Sequence, residues 1–453
     1  MKHLISGGLA AVALISSPAL ADSAEDTWAP ETFTLENGME VVVLPDHRAP
    51  VVTHMVWYKV GAVDEAEGKS GIAHLFEHVM FKDTDDLEDG EFASTVARLG
   101  GQHNAFTSWD YTAYYQRVAK QHLGKMMALE AERMTDLIID EDPEGSFITE
   151  RDVVKEERRQ RVDNNPGVIL REKVLAEFWE GHPYEITVIG RMDEVEALTP
   201  QDGIDFYNKF YSPENTILIV AGDVTGEEVR ALADEHYGQI ERSGLVDGTR
   251  KWADVPALTE TQEIVHSDPK VRQPVWYRYY NGVSQKRDRD LSLALEVGLD
   301  VLGGGNTSLL YVALVEEQKL AVNAGTFAWT GLHDDGPAVI YATPSPGVSM
   351  EDLEAAVMAE LTALLETGFT DEDVARVRNS MAAAAIYARD SQENMANLFG
   401  GWLAIGGSID DLMSYEDDVR GVTAEAALAA VRQAFAADKH YIEAQLLPAE
   451  GDL

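Results

Sequence analysis

One pattern recurs near the end of each half of the chain. Thr199 lies twelve residues before the aromatic residue Tyr211, and Thr423 lies twelve residues before Phe435. A short strand-like run of apolar residues follows the aromatic residue in both places. Because helices and strands must each bury an apolar face, the recurrence predicts two α/β halves of about 210 residues, related by duplication.

Composition along the chain indicates where these halves meet. Residues 39–44 and 51–60 are apolar, Val-containing runs of strand length, and periodic helical stretches follow them. A polar stretch that contains Gly and Asp, residues 246–261, is typical of a linker. We therefore predict an N-terminal domain over residues 22–245 and a C-terminal domain over residues 262–453.

The N-terminus has the three parts of a secretory signal peptide. Lys2 is followed by an apolar run at residues 4–15 and by small residues at positions 19–21. The apolar run is too short to span the ~30 Å hydrocarbon core of a bilayer, and no later segment is long and apolar enough. The pattern predicts cleavage before Asp22 and a periplasmic or secreted protein.

Composition excludes several classes of site and partner. The 453 residues include 36 Lys and Arg against 79 Asp and Glu, for a formal net charge of −43, and they include no cysteine. Without cysteine the chain cannot form disulfides, thiolate zinc sites, iron–sulfur clusters or a cysteine nucleophile. The excess of acidic residues argues against nucleic acid as a partner, because phosphate binding needs clustered Lys and Arg.

The most specific motif is a pair of histidines four residues apart with a glutamate between them. His74, Glu77 and His78 follow the order His-x-x-Glu-His, the reverse of the common His-Glu-x-x-His zinc helix. On a helix both imidazoles lie on one face and can reach a single Zn²⁺, while Glu77 lies beside it as a base. The alternative is a pair of half-buried helix histidines with a salt-bridging glutamate.

A second helical stretch offers the third ligand that a catalytic zinc requires. One face of the helix predicted over residues 150–161 is shared by Glu150, Val153, Val154, Glu157 and Arg161. The face with two valines is expected to pack inward, so Glu157 is a better ligand than Glu156, which is turned about 100° away. The alternative is a solvated run of charge, which the arginines of this stretch also fit.

These segments together resemble a known family. Residues 35–39, the block 71–82, the segment 104–108 and the helix at 150–157 resemble the pitrilysin-like zinc metallopeptidases of the smaller, two-domain bacterial kind. The similarity runs over nearly the whole chain after the signal peptide. It implies an α+β fold of two similar domains, each a mostly antiparallel sheet packed with helices, of which the C-terminal domain lacks the zinc motif.

The resemblance also implies a role for each site residue. His74, His78 and Glu157 match the ligands of one Zn²⁺ per chain, and Glu77 matches the catalytic base. The remaining matches are Glu150, a second acidic catalytic residue that supports the site, and the substrate-binding residues Asn104, Ala105 and Phe106. Binding of the substrate backbone by this segment is consistent with strand addition to a sheet edge. In the family, two such chains enclose a chamber that admits small unfolded peptides.

The sequence departs from the family in its second half. The family commonly has an Arg and a Tyr there that bind substrate and stabilise the oxyanion, whereas this chain has Val315 and Val322. No arginine lies between Arg289 and Arg376, so an alignment shift cannot supply one. We therefore predict a heterodimer whose homologous partner supplies the Arg and Tyr, with a homodimer as the alternative.

The sequence thus predicts a periplasmic zinc metalloendopeptidase that acts on short or unfolded peptides. Two other classes of function remain open. The chain could be a zinc-binding, non-catalytic scaffold subunit, although the intact Glu77 argues against that. It could also be a carrier whose acidic residues chelate metal.

Overall fold

The apolar run after residue 50 forms a strand that is buried on both faces. Of the residues of Val51–Tyr58, only Val51 is partly exposed. Side chains of a strand alternate between the two faces of its sheet, so this pattern requires packing on both faces. The computed structural model describes residues 29–140, 142, 145–246, 248, 250, 252 and 254–449. The predicted signal peptide, residues 1–21, lies outside the described residues.

The described strands are β1 (Glu31–Thr34), β2 (Glu40–Pro45), β3 (Val51–Tyr58), β4 (Gln102–Thr107), β5 (Thr112–Ala119), β6 (Thr216–Gly222), β7 (Gln262–Asp268), β8 (Val275–Asn281), β9 (Ala321–Ala328), β10 (Pro337–Pro344) and β11 (Ile442–Pro448). The described α-helices are α1 (Ile72–Val79), α2 (Glu91–Arg98), α3 (Leu123–Thr135), α4 (Ser146–Arg158), α5 (Pro166–Phe178), α6 (Met192–Ala197), α7 (Pro200–Phe210), α8 (Gly226–His236), α9 (Arg289–Gly303), α10 (Leu309–Tyr311), α11 (Met350–Thr367), α12 (Asp371–Ala388), α13 (Gln392–Ala404), α14 (Ile409–Gly421) and α15 (Ala424–Ala434).

The strands form two sheets with the same internal order. The N-terminal sheet runs β1-β2-β6-β3-β5-β4, and the C-terminal sheet runs β7-β11-β8-β10-β9. Each contains one parallel pair, β2 with β6 and β7 with β11, and all other pairs are antiparallel. Apart from β1, each strand of one sheet therefore has a counterpart in the other. The predicted α+β fold of two similar, mostly antiparallel domains is confirmed.

Each sheet is covered on one face by a helix from the other half of the chain. Helix α13 packs against buried residues of β2, β3 and β6, through Met395, Ala396 and Phe399. Helix α5 packs against buried residues of β8, β10 and β11, through Leu170, Val174, Leu175 and Phe178. The opposite face of the N-terminal sheet packs against its own helices, including α1. This exchange of helices joins the two domains through apolar cores.

The predicted linker packs on the core under α5 through Trp252, Val255 and Leu258. Among the described residues between α8 and β7 there is no helix or strand. Arg250 is nevertheless largely buried, where it forms ion pairs with Asp64 (3.0 Å) and Asp110 (2.7 Å) of the N-terminal half. The boundaries of the linker and of the two domains remain predictions.

Candidate metal centre

The His-x-x-Glu-His motif lies on α1, as its spacing predicts. The helix starts after Gly71, whose φ of +88° favours glycine. A Cβ at Gly71 would also lie 2.8 Å from the carbonyl oxygen of Ile189. The helix buries an apolar face of Ile72, Ala73, Leu75, Phe76 and Val79. This packing leaves His74, Glu77 and His78 together on the less buried side of the helix.

Polar contacts fix both ends of α1. At the start, the carboxylate of Glu65 accepts hydrogen bonds from the backbone N–H groups of Gly71 (3.0 Å) and Ala73 (2.9 Å). Towards the end, the hydroxyl of Tyr114 donates to the carbonyl of Phe76 (3.2 Å). A carboxylate at a helix N-terminus satisfies free N–H groups and complements the helix dipole. The sequence analysis identified neither anchor: Glu65 lies six residues before Gly71, outside the usual capping positions, and the contact of Tyr114 depends on long-range packing.

Glu157 on α4 meets the two histidines. Its Oε2 atom lies 3.6 Å from Nε2 of His74 and 3.5 Å from Nε2 of His78. One ligand atom from each of the three residues lies within 4.8 Å of the others. Within the described part of the chain, Oε2 of Glu157 is buried and has no hydrogen-bond partner. Two imidazoles and a carboxylate with an unsatisfied oxygen fit the ligand set of a catalytic zinc site.

The two histidines differ in their protonation. Burial, followed by repulsion from His78, lowers the pKa of His74 to about 4, so its imidazole is neutral at pH 7. Burial also acts to lower the pKa of His78, but its contacts with Glu150 and Glu157 outweigh burial and raise that pKa to about 9. Metal binding at His78 therefore has to displace a proton.

Glu77 lies beside the ligands and is held by the neighbouring strand. Its Oε2 accepts a hydrogen bond from the hydroxyl of Thr107 (2.7 Å), at the end of β4. Burial raises the pKa of Glu77, although the hydrogen bond from Thr107 opposes the rise. The carboxylate thus has a fixed position next to the ligand set.

Glu150 contacts the ligand His78 at Nδ1, the ring nitrogen that does not face Glu157. Its Oε2 lies 3.2 Å from Nδ1 of His78, and its Oε1 lies 2.6 Å from Nζ of Lys82. The contact with His78, together with that of Lys82, lowers the pKa of Glu150 despite its burial. A carboxylate on the second ring nitrogen orients a ligating imidazole and raises its basicity. The structure thus brings Glu150 to the ligand set, and it adds Lys82, which sequence reasoning did not identify.

The inward face predicted for the second helix is only partly correct. Glu150 and Val154 are buried and Glu157 is partly buried, whereas Val153 is 44% exposed. Val153 therefore does not share the packed side, and that part of the prediction was wrong. Helix α4 also ends at Arg158, and a π-helical turn continues it over Arg159–Asp163.

The predicted substrate segment lies on β4, which is the outermost strand of its sheet. Asn104 is exposed and Ala105 is buried against the core that includes α1. The ring of Phe106 packs edge-on against Trp57 at 5.3 Å, as part of the core under α13. The side chain of Phe106 thus lies on the opposite face of the sheet from α1, and the backbone of this segment lies at the sheet edge.

Val315 and Val322, the two valines singled out in the C-terminal half, have apolar side chains. Val315 is partly buried against the C-terminal core. Val322 lies on the outermost strand β9 and is 41% exposed. Neither side chain can donate a hydrogen bond.

Two family models match adjoining parts of the chain. The family model described as Insulinase (Peptidase family M16) matches residues 40–191, and that described as Peptidase M16 inactive domain matches residues 197–381. The chain is 32% identical over 430 residues to the zinc protease PqqE of Helicobacter pylori, across 93% of this chain and 91% of that protein.

Solved structures show the same similarity. A crystal structure of a protease from Helicobacter pylori matches with a TM-score of 0.85 at 30% identity, across 92% of this chain and 99% of that chain. The periplasmic protease PqqL of Escherichia coli matches in fold, with a TM-score of 0.78 at 19% identity, across 92% of this chain and 47% of that chain. The relatives support a metallopeptidase, and their names suggest zinc as its metal. The chain therefore belongs to the insulinase family of peptidases, peptidase family M16.

Proposed function

We propose that this chain is a periplasmic zinc metalloendopeptidase that cleaves short or unfolded peptides. The observation that carries the proposal is the convergence of His74, His78 and Glu157 around one point, with Glu77 beside them. Three protein ligands leave a fourth coordination position for water or substrate, as a catalytic zinc site requires. A site that only stored metal would have no need of a base at that place.

The residues of the site divide the chemistry among them. When bound, zinc supplies Lewis acidity that makes a water molecule nucleophilic near neutral pH. Glu77 accepts the proton of the attacking water and then donates it to the leaving amine. Thr107 holds Glu77 by a hydrogen bond of 2.7 Å, and Glu150 orients the ring of His78. Glu150 therefore acts through His78.

The substrate is proposed to bind along β4. As the outermost strand of its sheet, β4 can accept an extended peptide as a further strand. The backbone of Asn104 and Ala105 would then hold the peptide next to Glu77, because Thr107 of the same strand contacts that carboxylate. Strand addition requires an extended peptide, which favours short or unfolded substrates over folded proteins.

Location in the periplasm is supported by the signal-peptide pattern of residues 1–21. A structural relative, PqqL, is also described as a periplasmic protease. Among the described residues, no helix has the combination of length and hydropathy that a membrane span needs. Sequencing the N-terminus of the exported protein should find Asp22 as the first residue. Retention of residues 1–21 on the mature protein would contradict the proposal.

Replacement of Glu77 by Gln tests the catalytic role. A general base contributes roughly 10²–10⁴-fold to a rate, so Glu77→Gln should lower the cleavage of a quenched fluorescent peptide by about that factor. Its zinc content, measured by elemental analysis, should not change. Glu156→Gln on the exposed side of α4 is the matched control and should leave both unchanged. A scaffold or a metal carrier would show no difference between Glu77→Gln and wild type.

The chain is further proposed to work with a homologous subunit. Val315 and Val322 cannot supply the donors that the family has there, and losing one such donor typically costs 10²–10³ in rate. This chain spans 47% of the PqqL chain, so that chain is long enough to contain two units of this size. The lone chain should therefore cleave peptides weakly and gain activity when a homologous subunit with the Arg and Tyr is added. Full activity of a purified monomer or homodimer would exclude the heterodimer.

A further inference from the structure

One charged side chain at the centre is exposed and does not belong to the ligand set. Arg161 lies in the π-helical turn that follows α4, one turn after Glu157. Its side chain is 75% exposed, whereas those of His74, His78, Glu150, Glu157 and Lys82 are 11–24% exposed. Single π-helical turns occur often at functional sites. A solute that reaches the centre therefore meets the guanidinium of Arg161.

The guanidinium of Arg161 and the two histidines face different oxygens of the same carboxylate, that of Glu157. Nη1 of Arg161 is 2.7 Å from Oε1 of Glu157, while Oε2 of the same carboxylate faces both histidines. Within the described part of the chain, Glu157 is the only partner of this guanidinium. Arginine has five N–H donors in a planar fork, so this contact leaves most of them available. The free donors are exposed to solvent beside the centre.

Arg161 is also near the proposed base. Its partner Glu157 lies 3.6 Å from His74 and 3.5 Å from His78, and Glu77 directly precedes His78 on the same helix. Glu77 in turn contacts Thr107 on β4, where the substrate is proposed to bind. A peptide that lies along β4 and passes Glu77 therefore comes within reach of Arg161.

The surroundings determine which chemical group this cation can select. The centre has three carboxylates, Glu77, Glu150 and Glu157, and two cationic side chains, Lys82 and Arg161. Lys82 is 19% exposed and pairs with Glu150 at 2.6 Å, whereas Arg161 is 75% exposed. Arg161 is thus the exposed cationic side chain with which a peptide carboxylate outside the coordination positions of the metal can pair. An arginine fork binds a carboxylate by paired, charge-assisted hydrogen bonds. We propose that Arg161 is a specificity-determining residue that binds a peptide carboxylate close to the scissile bond, an inference that rests on the proposed function.

Peptide binding to the zinc-loaded, full-length Glu77→Gln variant tests this without cleavage. Three fluorescent peptides of one sequence are compared: one with a free C-terminal carboxylate, one amidated with an internal Glu, and one amidated with Gln in its place. One of the two carboxylate peptides should bind roughly 10- to 100-fold more tightly than the neutral peptide. The peptide that does so identifies the source of the carboxylate, either the C-terminus or an acidic side chain.

Adding Arg161→Gln should abolish that preference and leave the affinity of the neutral peptide within about 3-fold. Arg161→Lys should keep part of the preference, because it keeps the charge and loses the fork. Arg159→Gln is the matched control, since Arg159 is 50% exposed and pairs with Glu156 instead. Equal affinity for all three peptides would overturn the proposal.

Zinc content separates this role from a merely structural one. If Arg161 only oriented Glu157, Arg161→Gln would lower the zinc content and weaken all three peptides equally, which would also overturn the proposal. The proposed function can fail separately, because wild type would then cleave none of the peptides. Binding to the Glu77→Gln variant would still decide whether Arg161 selects carboxylates.

Discussion

Helices α1 and α9 occupy the same place in the two domains, and only α1 forms a metal centre. Each follows a central strand, β3 or β8, and precedes the outermost strand of its sheet, β4 or β9. On α9, Glu296 and Asp300 have the same spacing of four residues as His74 and His78. Within the described residues, no other group of three His, Asp or Glu side chains converges as the group on α1 and α4 does.

The difference lies in what covers each helix. Helix α15 packs closely on α9, and a Cβ at Gly298 would lie 2.5 Å from Cγ2 of Val431. The carboxylate of Glu296 accepts hydrogen bonds from the side chains of Gln285 (2.7 Å) and Thr330. The polar face of α1 instead meets an unsatisfied carboxylate of α4. The same architecture thus gives a packed core in one domain and an accessible polar face in the other.

The largest effect should come from removing a ligand of the N-terminal centre. His74→Ala leaves two protein ligands, so zinc content should fall from about one ion per chain to less than about a tenth. Peptide cleavage should fall with it, by roughly 10³-fold or more. Elemental analysis and a quenched peptide assay measure the two effects. His440→Ala, at an exposed histidine of the C-terminal half, should change neither, and a loss of zinc in this control would break the contrast between the domains.

The next largest effect should come from the contacts that support the ligand His78, namely those of Glu150 with His78 and with Lys82. Among the described residues, α9 has no such metal centre to support. Lys82→Met removes the cation that lies 2.6 Å from Glu150, so Glu150 should hold the ring of His78 less firmly. Loss of such an outer contact typically weakens metal affinity 10- to 100-fold. Competition with a chelator measures the affinity. Lys59→Met is the control, since Lys59 pairs with Glu40 at the same distance of 2.6 Å away from the centre. Equal zinc affinity in both variants would show that Lys82 does not support the site.

The exchange of helices gives a third test, directed at stability. Gly400 of α13 lies against Trp57 of β3, where a Cβ would overlap the indole ring. Gly400→Ala should therefore lower the free energy of unfolding by about 1–3 kcal/mol through overpacking. At the adjacent Gly401, a Cβ would have its nearest neighbour, the Tyr111 hydroxyl, at 3.6 Å. Gly401→Ala should be neutral or stabilise by up to about 1 kcal/mol. Urea denaturation of both variants measures the difference, and equal losses would mean that α13 does not pack on Trp57.

The sequence was sufficient for the parts of this molecule that depend on local pattern. A spacing of four places His74 and His78 on one helix face whatever the helix packs against. The apolar run at residues 51–60 likewise predicts a strand, which the structure has at Val51–Tyr58. The repeat in the two halves predicted the duplicated fold, which the matching strand order confirms.

Other features depend on which elements meet in space. The apolar faces of α5 and α13 indicate burial, but not that each helix covers the sheet of the other half. The contact of Lys82 with Glu150 joins residues that are far apart in the sequence, so no local spacing indicates it. The exposure of Val153 has a similar cause, because the covering of that side of α4 depends on distant segments.

The smallest expected effect is a dependence on pH at the junction of the domains. Asp334, in the loop between β9 and β10, lies 3.3 Å from Nε2 of His182 and accepts a hydrogen bond from Nε1 of Trp252 (2.6 Å). Burial acts to raise the pKa of Asp334, but the contacts with His182, His333 and Trp252 outweigh it and hold that pKa well below its usual range. The junction thus favours the charged form of this carboxyl.

The sign of the pH effect follows from that lowered pKa. An unfolded Asp binds a proton below about pH 4 while the folded carboxyl stays charged, so its contribution to stability is present above that pH and is lost as the pH falls. The urea midpoint of wild type should therefore drop more steeply below about pH 4 than that of Asp334→Asn. Asp254→Asn is the control, because Asp254 forms an exposed pair with Arg287 at 2.9 Å, and it should follow wild type. Parallel curves for wild type and Asp334→Asn would show that this polar contact does not stabilise the junction, which would then depend on the apolar packing of α5 and α13.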